Sequence, residues 1–126
     1  MNFTSELLYS KDHEWVKLLD DGTALVGITD YAQDALGDLV FVNLPAPDDT
    51  LTAGDTACDV ESVKAVSDVM SPVNGTVCAV NEALEDAPEL LNSEPYEAWI
   101  FKLKDVSGQD ALMDAGQYQR FVEEEQ

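Results

Sequence analysis

The run Glu61-Ser62-Val63-Lys64-Ala65-Val66 sets one primary amine among small and β-favouring side chains. Cations are scarce in this chain, with Lys and Arg together numbering 6 against 26 Asp and Glu. A lysine in such a run is either a charged guard on an exposed edge strand or a reactive handle. The surrounding pattern favours the handle. If the chain turns over at Val63-Lys64, strands of similar length flank the turn, and the amine projects from its tip with no acid directly adjacent. Acylation of that amine gives a stable amide and removes the charge, where Ser or Cys would give more labile esters. A prosthetic group that visits several active sites needs a long tether on a rigid, exposed mount, and the four-carbon stem of lysine supplies the tether.

Other chemistry is poorly supported. The chain has no GxGxxG, no GxxxxGK[ST] and no HExxH, and a single histidine, His13, excludes a His-cluster metal site within one chain. No nucleophile elbow accompanies His13. Asp55-Thr56-Ala57 approaches the Asp-Thr-Gly of dimeric aspartic proteases, whose paired carboxylates share a proton, but it fails at the glycine and reads as a turn before a strand. Asn-x-Thr triplets at Asn2 and Asn74 would be glycosylation acceptors only in a secreted chain. Asn74-Gly75 reads instead as a turn needing positive φ.

At 126 residues the chain fits one domain, residues 1–126, with 45% apolar and 25% charged side chains. The net charge of −20 repels phosphate backbones and anionic lipid, so neither nucleic acid nor a membrane is an expected partner. The same charge either keeps the protein soluble by self-repulsion or steers it to basic protein surfaces. Cys58 and Cys78 both lie in alternating apolar segments, and buried free thiols in a reducing compartment are expected. The N-terminus carries neither a signal-peptide pattern nor the Arg-rich character of a transit peptide, which predicts a cytoplasmic protein, or a mitochondrial matrix form only if a transit peptide has been removed.

The elements that must hold Lys64 follow from periodicity. Residues 14–19 and 23–28 form a hairpin about Asp20-Asp21-Gly22. Thr29 caps a short helix in which Tyr31, Ala32, Ala35 and Leu36 share a face, and Gly37 stops it. Residues 39–44 read as a buried strand ended by Pro45 and Pro47. Cys58 and Val60 then alternate with Asp59 and Glu61, followed by strands at 66–70, 76–80 and 99–103, while residues 82–92, broken by Pro88, form a loop with one helical turn. From Asp110 the spacing of Leu112, Met113, Tyr118, Phe121 and Val122, interrupted by Gly116, predicts one or two amphipathic helices. Short strands at regular spacing suggest a small barrel or sandwich.

Glu61-Ser62-Val63-Lys64-Ala65, followed by Val66-Ser67-Asp68-Val69 and Ser71-Pro72-Val73-Asn74-Gly75, resembles a lipoyl attachment hairpin, and specifically that of the H protein of the glycine cleavage system. In order along the chain, His13-Glu14-Trp15-Val16, Gly27-Ile28-Thr29-Asp30-Tyr31-Ala32-Gln33, Leu36-Gly37-Asp38, Val40-Phe41-Val42, Leu44-Pro45, Val80-Asn81-Glu82, Leu84, Pro88, Leu91-Asn92 and Pro95-Tyr96 match the same family. The resemblance implies a mainly β barrel-sandwich hybrid with short helices, an N-terminal hairpin extension and a C-terminal helix. It implies a non-catalytic carrier with lipoate amide-linked to Lys64. Its implied partners are a pyridoxal-phosphate-dependent glycine decarboxylase that loads an aminomethyl group, a tetrahydrofolate-dependent aminomethyltransferase that removes it, dihydrolipoamide dehydrogenase, and the lipoate ligase or octanoyltransferase. A freely diffusing carrier of this kind is expected to be monomeric.

The loaded cargo in that family is a cationic primary amine prone to hydrolysis, which a cleft with carboxylates would shield. By resemblance Glu14 and Asp68 are the candidate shields, and Glu61, Gly54 and Gly75 are candidate recognition or turn positions for the attaching enzyme. The alternative is a lipoyl or biotinyl carrier domain of another multienzyme system. Lipoyl domains of 2-oxoacid dehydrogenase acyltransferases are shorter and run into Pro/Ala-rich linkers, which this chain lacks. Biotin carriers typically flank the lysine with methionines, where this chain has Val63 and Ala65.

Overall fold

Apolar side chains spaced by two give a strand one core face, and short strands of this kind must pair and then pack face to face to bury it. The computed structural model describes residues 3–125, which leaves Asn2 of the first Asn-x-Thr triplet outside the described residues. In chain order the elements are β1 (Leu8–Tyr9), β2 (Glu14–Leu18), β3 (Ala24–Ile28), α1 (Asp30–Leu36), β4 (Leu39–Asn43), β5 (Thr50–Leu51), β6 (Thr56–Ser62), β7 (Val66–Met70), β8 (Asn74–Val80), α2 (Ala83–Asp86), α3 (Leu90–Ser93), β9 (Phe101–Ser107) and α4 (Ala115–Glu125), with a turn of 3-10 helix at Gln109–Ala111. They form a six-stranded sheet in the order β1-β2-β3-β9-β8-β5 and a three-stranded sheet in the order β4-β6-β7. Every strand pairing in both sheets is antiparallel.

The main core lies between the sheets and includes Val16, Val26, Val60, Val77, Ile100 and Leu103, all fully buried. A second cluster on the other side of the β1–β2–β3 region joins Leu7, Tyr9, Trp15, Tyr118 and Val122, so the apolar stripe of α4 finds its partner there. Two features anchor this layer. Trp15 lies directly opposite Gly27, and a methyl on Gly27 would sit 2.6 Å from the indole ring. The Tyr118 hydroxyl is 2.8 Å from His13 Nδ1 and 2.7 Å from Thr29 Oγ1.

The N-terminal hairpin forms as expected, with Glu14 opposite Ile28 and Leu18 opposite Ala24. Thr29 caps α1 by accepting from Ala32 N, and Gly37 ends the helix at φ +83. Other expectations need correction. Within β4, Val40 and Phe41 are about half exposed, because β4 borders the smaller sheet, carries a bulge between Leu39 and Phe41, and turns Phe41 to the uncovered face opposite Glu61. Cys58 is buried but Cys78 is exposed: in β8 the inward side chain is Val77, so its neighbour faces out. Ala35 is exposed on α1. Residues 82–92 hold two short helices, the last strand starts at Phe101 and runs to Ser107, and Gly116 sits inside α4 without breaking it. Asn74-Gly75 is not a turn. Both residues belong to β8, Gly75 pairs with Leu51, and its need is space, since an added methyl would lie 3.0 Å from Leu103 Cβ and from the Lys104 carbonyl. No helix among the described residues is long and apolar enough to cross a membrane.

Candidate functional site

β6 and β7 form the hairpin foreseen around Lys64, with Glu61 opposite Val66 as the last ladder pair before the loop. The loop is Val63-Lys64-Ala65, and Ser62 closes it. Ser62 N donates to the Ala65 carbonyl at 2.8 Å, while Ser62 Oγ accepts from Lys64 N at 3.2 Å and from Ala65 N at 3.1 Å. A serine at the start of a tight turn thereby satisfies amides that would otherwise point into solvent. The loop is also tied sideways, Val63 N donating to the Asp38 carbonyl at 3.0 Å. A methyl on Gly37 would lie 3.7 Å from Lys64 Cε, so the lysine stem runs past the C-terminal end of α1. Lys64 itself is exposed and is flanked by Val63 and Val66, at 69% and 65% exposure. The mount is rigid and the amine is free to be approached, which are the two requirements for a tethered group.

Glu14, at the start of β2, meets this hairpin at Met70, the end of β7 remote from Lys64. Residues 10–13 make a tight connection from β1 to β2, with His13 in the left-handed region at φ +68, and this delivers the next side chain inward. Glu14 is 2% exposed. Its Oε1 accepts from Ser10 Oγ at 2.6 Å and its Oε2 from Met70 N at 3.4 Å, at the open edge of β7. Burial pushes its carboxyl from 4.5 up to about 7, the Asp12 charge adds to the rise, and the Ser10 and Met70 hydrogen bonds oppose it. Beside it, burial above all, with Asp59 and Glu14 contributing, pushes the Cys58 thiol up to about 12. A depression of about 200 Å³ opens next to this corner, lined by Ser10, Asp12, Gly54, Ser71 and Pro72 among others.

Asp68 faces solvent on the outer side of β7, directly opposite Asp59, which is itself 3.5 Å from Asn43 Nδ2. Glu14 and Asp68 therefore flank one strand from different sides, Glu14 at its edge and Asp68 on its outer face. Glu61 is exposed on that same outer face, between Phe41 and Val66. Gly54, at φ +95, makes the turn into β6, where Gly54 N donates to the Ser71 carbonyl at 2.8 Å. Gly54 and Gly75 thus lie at the end of the β6–β7 pair remote from Lys64. Ser62, Asp38 and Ser10 were not singled out from sequence, and Gly37 was read only as the stop of α1. Only Ser62, one residue before the turn, carried a local signal for its role.

The whole chain resembles proteins of one kind. The glycine cleavage H-protein family model matches residues 7–125. The probable glycine cleavage system H protein of Thermococcus gammatolerans is 58% identical over 120 residues, covering 93% of this chain and 90% of that protein. The H protein of Shewanella oneidensis is 53% identical over 127 residues, covering 98% of each. A crystal structure of the H protein from Mycobacterium marinum superposes with a TM-score of 0.84 at 35% identity, covering 97% of this chain and 98% of that one. The two packed sheets are accordingly the barrel-sandwich hybrid expected of lipoyl-type domains. Sequence, fold and hairpin agree: the chain belongs to the glycine cleavage H-protein family and is a carrier component of the glycine cleavage system.

Proposed function

We propose that Lys64 carries lipoate in amide linkage and that residues 1–126 act as one monomeric, non-catalytic carrier domain in the cytoplasm. In this reading the protein moves the aminomethyl group of glycine from a pyridoxal-phosphate-dependent glycine decarboxylase to a tetrahydrofolate-dependent aminomethyltransferase. Dihydrolipoamide dehydrogenase restores the oxidised carrier, and a lipoate ligase or octanoyltransferase modifies Lys64. The observation that carries the reading is the exposed amine on a loop closed by Ser62 and tied to Asp38.

The residues present fit such a group. Ser62 and Asp38 fix the mount, the exposed apolar side chains around Lys64 leave its amine accessible, and no acid of the three-residue loop competes for it. When bound, lipoate supplies a dithiolane that can be opened to take up a one-carbon unit and closed again by oxidation. The chain's own part is to hold the attachment point still and to offer carboxylates to a cation. Glu14, with its carboxyl raised to about 7, ionises readily when a cation approaches, since opposite charge lowers an acid's pKa. Asp68 adds charge on the outer face of the same strand, and Glu61, Gly54 and Gly75 are proposed to give the hairpin the shape that the attaching enzyme reads.

Intact-mass measurement after incubation with lipoate, ATP and a lipoate ligase is expected to show one lipoyl adduct that maps to Lys64 and is absent from Lys64→Arg. A biotin adduct, or no adduct on the parent protein, overturns the reading. The shielding role predicts that the loaded carrier loses ammonia and formaldehyde faster in Glu14→Gln and Asp68→Asn than in the parent; equal rates dismiss it.

A further inference from the structure

Asn92 belongs to α3, far from Lys64 in sequence, yet its side chain holds the turn on which the Lys64 loop rests. Asn92 Oδ1 accepts from Leu39 N at 2.8 Å. Asn92 Nδ2 donates to the Gly37 carbonyl at 2.9 Å and to Gln33 Oε1 at 3.0 Å. One planar amide thus grips the backbone on both sides of Asp38, pairing the carbonyl before it and the amide after it. These are the groups left without helical or strand partners where α1 ends and β4 begins. Asp38 contributes the carbonyl that receives Val63 N, and Gly37 is the residue over which the Lys64 stem passes.

We infer that Asn92 is a positioning residue for Lys64, acting through Gly37, Asp38 and Val63 to set where the amine is presented to the enzymes that act on it. The inference rests on the reading of Lys64 as the modified residue. Only a group with one acceptor and two donors in a plane fits this grip, and asparagine is the residue of the right length. Aspartate keeps the bond to Leu39 N but turns an acceptor toward the Gly37 carbonyl and Gln33 Oε1, so Asn92 loses two of its three bonds and the Asp38 turn one of the two that grip it. A loop that spends only part of its time in the binding-competent position weakens apparent affinity in proportion, without slowing the step that follows binding.

The test measures lipoate attachment to the unmodified protein by a purified lipoate ligase. For Asn92→Asp the KM for the carrier is expected to rise about tenfold while kcat stays within about twofold, and the Val63 amide is expected to lose hydrogen-exchange protection. Asn81→Asp is the control, because it removes a comparable side-chain bond, Asn81 Nδ2 to the Trp99 carbonyl at 2.9 Å, away from the turn. It is expected to leave both KM and Val63 protection at the parent values. If Asn92→Asp does not fold, Asn92→Ser is measured in the same way. Parent-like KM and parent-like Val63 protection in the folded Asn92 variant overturn the inference. So does an equal change in the Asn81 control, which would mark the effect as general destabilisation. If the parent protein takes no lipoate, the reading of Lys64 fails while Val63 protection still decides whether Asn92 holds the loop.

Discussion

Replacing Glu14 by glutamine keeps the shape of the side chain and removes its charge, so it isolates the cost of holding a carboxylate in this corner. The folded-state value lies above the ordinary one, at about 7 against 4.5, chiefly because burial disfavours the ionised form. The sign follows: the unfolded chain releases this proton at lower pH than the folded one, so Glu14 supports the fold best below about pH 4.5 and loses that contribution as pH rises through about 7. With 1.36 kcal/mol for each tenfold ratio, ionisation in the unfolded chain costs the native state about 1 kcal/mol at pH 5 and about 3 kcal/mol at pH 8. Glutamine never ionises and escapes this cost. Urea unfolding of parent and Glu14→Gln at pH 5 and pH 8, both above the sequence pI of 4.1, gives the comparison. Any fixed loss from imperfect bonding to Ser10 Oγ and Met70 N appears at both pH values and cancels. The expected outcome is an advantage for Glu14→Gln that grows by about 2 kcal/mol from pH 5 to pH 8. An offset that is the same at the two pH values refutes the assignment of the raised carboxyl to Glu14.

Gly27→Ala is expected to lower stability by about 3 kcal/mol, since the added methyl overlaps the Trp15 ring, which is 1% exposed and held by its Nε1 donating to the Pro95 carbonyl at 2.9 Å. An unchanged urea midpoint would falsify that packing account. One thiol is expected to react with a disulfide reagent in the native protein at pH 8 and to map to Cys78. Cys58 should react only on unfolding, because burial keeps all but about one in ten thousand of its thiols protonated at that pH. Thr29→Ala should cost about 1–2 kcal/mol, through the lost cap on α1 and the loss of one of the Tyr118 hydroxyl's partners, while Thr29→Ser retains both and melts near the parent.

The parts read correctly from sequence are those whose signal is local. Thr29 and Gly37 mark the ends of α1 by their own chemistry, alternation places Cys58 and Val60 inward, and Lys64 sits in a turn that Ser62 can close. Phe41 and Cys78 were misread because an apolar residue type says nothing about whether its face of a sheet is covered. β1 and β5 were missed because two-residue strands carry no period.

By itself the sequence determined an acidic chain with short strands, a capped helix and one amine raised on a hairpin, and the motifs around that hairpin named the family. Tertiary structure alone decided the rest. It buried Glu14 against the edge of β7, left Asp68 on the outer face of that strand, and brought Asn92 from α3 to the turn beside Lys64. Local propensity acts over a few residues, whereas a carboxyl's ionisation and a loop's position depend on which groups the two sheets bring within hydrogen-bond reach across 50 residues or more of chain, as between Glu14 and Met70 or Asn92 and Leu39.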